Sequence, residues 1–331
     1  MLENRKVKIL LVVPSLSSFI QRDLSLLRKY FDTKVIHYKG LKSIPSVLPR
    51  IIQGVFWADV TFSRFADNHA FLATLFSKIF RKKSIVVVGG YEVARLPELN
   101  YGLSRSPVFP HTVKYILNNA DRVLTVSESL KEEAIKNVKT RGDNMLTLPN
   151  GYDYRIYKAK GKKEKLVLTV AQCSTWQRVR LKGLDTFVNS AKFFPNTKFL
   201  MIGIFGKALD KLRKISPSNV VLLKPLSPEQ LIYYYQKAKV YCQLSRREGH
   251  PNTLCEAMLC ECLPVGTDIP AIQTVIGETG YYVPYAEPEE TAVAVERALE
   301  SSKGEAARER IKTMFPLEKR ERKLIEIISE I

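Results

Sequence analysis

Glu248-Gly249-His250-Pro251-Asn252-Thr253-Leu254-Cys255-Glu256 follows a short apolar run, Val240-Tyr241-Cys242-Gln243-Leu244, and leads into Ala257-Met258-Leu259 before Cys262-Leu263-Pro264 ends the pattern. The run reads as a buried strand and the later residues as a helix, with Gly, Pro and Asn forming the loop between them. At such a junction several backbone N–H groups converge, with the positive end of the helix dipole behind them. That suits an anion, typically phosphate. Carboxylates repel phosphate, so the two flanking acids call for another partner. Glu248 in the loop and Glu256 in the first turn can each accept hydrogen bonds from hydroxyls. Hydroxyl-rich ligands that carry phosphate are nucleotides and nucleotide sugars. A structural reading stands beside this one: Thr253-Leu254-Cys255-Glu256 has the form of a capping box, and Glu248 can be an exposed acid next to Arg246 and Arg247.

Outward from this stretch, apolar strands alternate with helices, the pattern of a parallel sheet covered on both faces. In the first half, Val7–Val13, Thr33–His37, Val60–Phe62, Ile85–Val88, Val123–Val126 and Met145–Leu148 are predicted strands, with Phe19–Tyr30 and Pro110–Asn118 among the helices. Pro149-Asn150-Gly151 makes a turn, and Tyr154 to Lys165 is a charged connector without apolar periodicity. The alternation restarts at Leu166–Ala171 and runs through Lys198–Gly203, Val220–Leu223, Val240–Leu244 and Pro264–Gly266, with helices at Leu184–Phe194 and Glu229–Lys239. The expectation is α/β: two tandem doubly wound domains, 1–155 and 164–315, facing a central cleft. The last helix, 316–331, is expected to pack back on the first domain.

With 331 residues, 45% hydrophobic and 26% charged, the chain has room for two cores. No apolar run reaches the roughly 20 residues that cross a bilayer, and Met1-Leu2-Glu3-Asn4-Arg5-Lys6 leads directly into the first predicted strand rather than a signal peptide. A cytoplasmic location is expected, with the inner membrane face as a candidate surface. Cys173, Cys242, Cys255, Cys260 and Cys262 form no Cys-x-x-Cys pair and sit in apolar surroundings, which favours buried free thiols. The net charge of +19 attracts nucleic acid, anionic lipid or phosphorylated ligands. Phe71–Phe80, followed by Arg81-Lys82-Lys83, reads as an amphipathic helix with a basic end, and together with Leu41–Trp57 it motivates an anionic membrane surface as a partner. A packed helix whose last turn carries cations fits the same residues.

The order of these features resembles the GT-B retaining glycosyltransferases of family 4. The resemblance rests on the Glu-x7-Glu element Glu248–Glu256, on Ala120-Asp121-Arg122-Val123-Leu124-Thr125-Val126-Ser127-Glu128-Ser129, on Leu148-Pro149-Asn150-Gly151, on Lys182-Gly183-Leu184-Asp185 and on Phe199-Leu200-Met201-Ile202-Gly203. It implies a GT-B fold and transfer of a sugar from a nucleoside-diphosphate donor, a UDP- or GDP-sugar, to a sugar, lipid-linked or glycan hydroxyl. It further implies that Glu256 holds the donor ribose, that Glu248 contacts the transferred sugar, and that the backbone of Gly249, His250, Pro251, Asn252, Thr253 and Leu254 meets sugar and diphosphate. Lys182 would neutralise the departing diphosphate. Lys224 and Pro225 would lie against the base, and Gly203 would form the glycine turn at the cleft.

The sequence departs from the family's pattern in three places. Gln172 stands where the family has an Arg paired with the Lys, and Arg178 or Arg180, on a long loop before Lys182, is expected to replace it. Gly89-Gly90-Tyr91-Glu92 stands where the family has a His; the glycines suit close approach to a ligand, and Glu92 would orient the acceptor or stabilise charge on the sugar, unless it pairs with Arg95. Ser15, in Ser15-Leu16-Ser17-Ser18, replaces a glycine-rich turn on the acceptor side. The chain has no Asp-x-Asp and four scattered histidines, so neither metal nor other cofactor is expected and cations with a helix N-terminus would stabilise the leaving group. A nucleotide-sugar 2-epimerase of the same fold is the nearest alternative. A basic nucleic-acid-binding protein is the alternative of another class, disfavoured because no aromatic-basic recognition motif accompanies the charge.

Overall fold

The computed structural model describes residues 6–331. The first five residues, read above as leading into the first strand, lie outside the described residues, as does the side chain of Ser18. The chain divides into two units, one formed by residues through Asn150 together with Glu318–Ile331, the other by Gly151–Leu317. The division falls at the Pro149-Asn150-Gly151 turn, and the charged Tyr154–Lys165 stretch belongs to the second unit. Tyr152 explains the difference. It is 1% exposed, its N–H donates to Phe315 O at 3.0 Å, and its own carbonyl accepts from Leu317 N at 3.0 Å.

The first unit contains strands β1 (Lys8–Val13), β2 (Asp32–His37), β3 (Val60–Arg64), β4 (Lys83–Val88), β5 (Arg95–Leu96), β6 (Tyr101–Gly102), β7 (Arg122–Thr125) and β8 (Met145–Thr147). Its helices are α1 (Ser18–Tyr30), α2 (Ile44–Trp57), α3 (Asn68–Ile79), α4 (Phe109–Asn119) and α5 (Glu128–Glu133). Six of the strands make a parallel sheet in the order β2-β1-β3-β4-β7-β8, and β5 and β6 form a separate antiparallel pair. The run Ile9-Leu10-Leu11-Val12-Val13 is apolar throughout because both faces of β1 are covered. Ile9, Leu11 and Val13 join one core with Leu27, Ile116 and Val123; Leu10 and Val12 join the other with Val47, Ile51 and Val55 of α2. Side chains that alternate across a strand thus serve two helical layers.

The second unit repeats the plan with β9 (Glu164–Cys173), β10 (Lys198–Ile204), β11 (Val220–Leu223), β12 (Ala238–Gln243), β13 (Leu263–Thr267) and β14 (Tyr281–Val283), in the order β11-β10-β9-β12-β13-β14. Its helices are α6 (Trp176–Leu181), α7 (Leu184–Ser190), α8 (Gly206–Ile215), α9 (Pro228–Lys237), α10 (Asn252–Leu259), α11 (Pro270–Ile276), α12 (Pro288–Glu300) and α13 (Gly304–Met314). The strand order reverses between β10-β9 and β12, the position where sheets of this kind bind ligands beyond their carboxyl ends. All five cysteines are buried and free.

Two local expectations are corrected. The segment before Lys182 is no open loop but helix α6, capped by the Thr175 hydroxyl, which accepts from Arg178 N at 3.4 Å. Lys211 of α8 lies over the Trp176 ring at 3.9 Å and helps hold the helix there. The second correction concerns the capping box. It occurs at Ser227–Gln230, where both reciprocal bonds form, and not at Thr253–Glu256.

The last helix, α14 (Leu317–Ser329), contributes Leu324, Ile327 and Ile328 to the first unit's core. It also brings a charge inside. Arg320, 4% exposed, donates to Asp23 Oδ1 at 3.0 Å and Oδ2 at 3.2 Å, and to the carbonyls of Leu148 (3.0 Å) and Pro149 (2.9 Å). Arg64 Nε lies 3.0 Å from Asp23 Oδ2, and Arg64 donates to Asn150 Oδ1 at 2.9 Å. Burial pushes the Asp23 carboxyl up, but Arg320 and Arg64 together hold it below its ordinary value. The cluster's contribution is therefore complete above the unfolded Asp value of about 3.9 and fades as pH falls through the lower folded value. Arg320→Leu is expected to cost about 3–5 kcal/mol, because it leaves Asp23 and two carbonyls short of donors in the interior. Urea unfolding of the variant at pH 7 checks this, and a wild-type midpoint would refute it.

Candidate functional site

Strand β12 ends at Gln243, and the chain crosses to α10 through the loop that contains Glu248. One carboxylate oxygen organises this loop. Glu248 Oε1 accepts from Lys182 Nζ at 2.5 Å, Ser245 Oγ at 2.6 Å and Gln243 Nε2 at 2.8 Å. The side chains of Lys182 and Glu248 are 21% and 10% exposed, so the pair sits at a surface but is mostly shielded from water. The Ser245 carbonyl is held in turn by Thr267 Oγ1 at 2.5 Å. The structure thus brings together Lys182 and Glu248, which stand 66 positions apart.

Glycine makes the meeting possible. Gly183 has φ +61°, and a Cβ there would lie 1.9 Å from the Leu244 carbonyl oxygen, so no other residue fits. Arg246 N donates to Leu181 O at 2.9 Å, which binds the end of α6 to the same loop. A second close approach occurs one strand over. Gly203 has φ +104° and its Cβ would lie 2.5 Å from Ala171 O, while Phe205 N donates to Cys173 O at 3.0 Å. The ends of β9 and β10 are in this way drawn together beside Lys182.

Arg178 and Arg180 are both exposed, but they face different neighbours. Burial pushes the Cys173 thiol up, and Arg178 and Lys182 pull it back, so both cations lie near the end of β9. Burial also pushes the Asp185 carboxyl up, with Arg180 among the groups that counter it, and the Arg180 carbonyl accepts from Tyr285 OH at 2.6 Å. Arg178 and Lys182 thus both act on the Cys173 thiol, whereas Arg180 acts on Asp185. Gln172, Lys224 and Pro225 are exposed, the last two in the loop after β11.

Helix α10 begins at Asn252, with Pro251 as its cap residue and no side-chain cap. Its first amides lack intrahelical acceptors by construction, which keeps the junction suited to an anion. Glu256 lies past the first turn rather than in it. It is 6% exposed and accepts from Tyr235 OH at 3.3 Å. Burial and the nearby Glu256 charge push the Tyr235 phenol well up, so it stays protonated as a donor. Thr253 Oγ1 lies 3.5 Å from Val170 O. The His250 ring is packed away, stacked on Tyr152 with centroids 5.9 Å apart and edge-on to Phe315 at 4.9 Å. Its Nδ1 is 3.0 Å from Tyr152 OH, which also donates to Asn252 Oδ1 at 2.7 Å. His250 thus fixes the loop with its ring, and the part suited to a ligand is its backbone.

In the first unit, Glu92 takes a different place from the one expected. It is 1% exposed; Oε1 accepts from Ala66 N at 3.0 Å and Gly89 N at 3.1 Å, and Oε2 accepts from Gly90 N at 2.8 Å. Its carboxylate is consumed in clamping the loops after β3 and β4, which corrects both a ligand-facing role and a pair with Arg95. Gly89 is constrained by the Phe65 ring, 2.4 Å from where a Cβ would sit. Ser15 is exposed in the loop after β1. Tyr152, Tyr235, Gln243 and Ser245 escaped the sequence reading as site residues. Only Gln243, a polar residue ending an apolar strand, carried a local signal.

Residues 164–301, all within the second unit, match the family described as Glycosyl transferases group 1. No curated protein matches the chain. Among solved structures, HepE of Anabaena in complex with UDP-glucose superposes with a TM-score of 0.80 at 15% identity, over 98% of this chain and 100% of that one. Sucrose-phosphate synthase from Thermosynechococcus elongatus gives 0.79 at 16% identity, over 98% and 99%. A glycosyltransferase from Rickettsia africae gives 0.76 at 17%, over 98% of both chains. At these identities the likeness is one of fold, and the fold is GT-B. Among the described residues no group of His, Cys, Asp and Glu is placed to hold a metal ion, and no helix is long and apolar enough to cross a membrane.

Gly183→Ala is expected to destabilise the second unit by about 2–4 kcal/mol, since the methyl group meets backbone and the left-handed conformation disfavours it. Thermal unfolding checks this; an unchanged midpoint would show that the loop moves aside without cost.

Proposed function

We propose that this chain is a retaining, metal-independent glycosyltransferase that moves a sugar from a UDP- or GDP-sugar to an acceptor hydroxyl on a sugar, lipid-linked or glycan substrate. The observation that carries the reading is the Lys182–Glu248 pair at the loop before α10, 2.5 Å apart, with the buried Glu256 on that helix. The match of residues 164–301 to Glycosyl transferases group 1 supports it, as does the fold shared with a protein solved with UDP-glucose.

In this reading Glu256, held by Tyr235, accepts the ribose hydroxyls. The three donors on Glu248 occupy Oε1, which leaves Oε2 to accept from hydroxyls of the transferred sugar. The bond between the anomeric carbon and the diphosphate oxygen breaks with its electron pair going to the diphosphate. Lys182, Arg178 and the first amides of α10 stabilise that new charge, which counts toward rate because it grows only as the bond breaks. The acceptor oxygen bonds to the anomeric carbon on the same face, and its proton passes to the departing diphosphate.

Thermal shift with UDP-, GDP- and ADP-sugars in the presence of a chelator tests the donor class, because ligand binding raises apparent stability. Glu256→Gln is expected to weaken donor binding roughly 10- to 100-fold, the loss of charge-assisted hydrogen bonds to hydroxyls. Lys182→Ala is expected to lower turnover with a smaller effect on donor binding. No shift with any nucleotide sugar would defeat the reading; donor epimerised without acceptor would replace transfer by isomerisation; an inverted anomer by NMR would remove retention.

A further inference from the structure

The first unit carries a second concavity, three strands across its sheet from Gly89 and Gly90. A groove of about 500 Å³ runs along the outer edge strand β2, between the end of α1 and the face of α2. That volume falls in the range of small-ligand sites, roughly 300–1,000 Å³. Arg28, Lys34 and Arg50 line it, with Gln53 and Trp57, and no carboxylate does. Among the described residues none of the three cations takes part in an ion pair. Some other cations of this unit are matched, Lys29 with Glu321, Lys83 with Asp121, Arg64 and Arg320 with Asp23, while others such as Arg81 and Lys82 share the lack of an ion pair but lie outside this groove's lining.

Three positive groups without an acid between them repel one another, a cost that a bound anion removes. Two of them are arginines, whose planar forks suit phosphate oxygens. The remaining lining is apolar. Leu10 and Ile36 form part of the floor, and the Trp57 ring is fixed by Lys34 Nζ, 4.1 Å from its centroid. We propose that this groove binds a phosphate group carried on an apolar or aromatic body, in a role separate from the donor site. Phe56, on the same helix as Trp57 but outside the groove lining, is 71% exposed, and the groove's own chemistry is shared by a lipid headgroup and a soluble phosphate compound.

The test uses the full chain at low salt with two probes: vesicles of phosphatidylcholine with and without phosphatidylglycerol in a flotation assay, and inorganic pyrophosphate by calorimetry. The double variant Lys34→Gln/Arg50→Gln removes two cations from exposed positions, and Lys160→Gln/Lys162→Gln removes two from the charged connector of the second unit. At least one probe is expected to bind, with the groove variant weaker by roughly 30-fold and the connector variant nearly unchanged. Vesicle binding alone assigns a lipid source, and pyrophosphate binding alone a soluble one. Equal weakening by both variants would reduce the effect to diffuse charge and overturn the proposal, as would a groove variant that binds like wild type or a wild type that binds neither probe. Unfolding midpoints are read alongside; if the double variant is destabilised, Arg28→Gln on α1 gives the same reading from another element.

Discussion

The close approach of Gly183 to the Leu244 carbonyl governs the candidate site. A side chain at 183 would push the start of α7 away from β12, and Lys182 would leave Glu248. With glycine there, one oxygen of Glu248 gathers an ammonium, a hydroxyl and an amide from three places in the chain. A carboxylate so held has one orientation, and its rigidity lets it recognise a ligand without first ordering itself. The positive charge beside it serves the chemistry proposed here, in which negative charge appears on a leaving diphosphate.

The two units solve the same problem with different chemistry. Loops beyond the carboxyl ends of parallel strands must satisfy their own backbone groups. In the first unit Glu92 does this with three amides, and the Asp23–Arg64–Arg320 cluster ties α1, β3 and α14 together inside the protein. In the second unit glycines bring loop backbones into contact, and aromatic residues such as Tyr152 and Tyr235 supply hydroxyls to the residues around α10. Buried ionic clusters are demanding of geometry. That demand explains why α14, last in the chain, must complete the first unit.

Most strands of the two parallel sheets were legible because burial on both faces writes an unbroken apolar run, whereas the short edge strand β14 and the β5–β6 pair were not read. Val220–Leu223 was read with its observed ends, and Lys198–Gly203 one residue short of Ile204. Helix α8 had weaker marks, since its long lysine and arginine side chains mask a narrow apolar face of Ala208, Leu209 and Leu212. Helix α6 was hidden because Arg178-Val179-Arg180-Leu181 alternates like a strand, yet only Val179 and Leu181 are buried in six residues capped by Thr175. Thr253–Glu256 matched the capping box by spacing alone. The chain starts its helix two residues earlier than a Thr253 cap requires, at Asn252, so the threonine never reaches the cap position.

Composition, apolar period and the placement of Gly and Pro by themselves determined an α/β chain with two parallel sheets, because those signals arise from neighbours in sequence and from burial that any such sheet requires. The Gly/Pro/Asn loop at a helix start marked Glu248 and Glu256 as residues to watch, and the family resemblance added Lys182. Only the tertiary structure decided that Lys182 lies on Glu248, that His250 is a packed ring, and that Glu92 clamps a loop. Each of these turns on a contact between residues brought together by sheet packing, where differences of one or two ångströms in backbone position select the partner, and no local pattern in the chain encodes such distances.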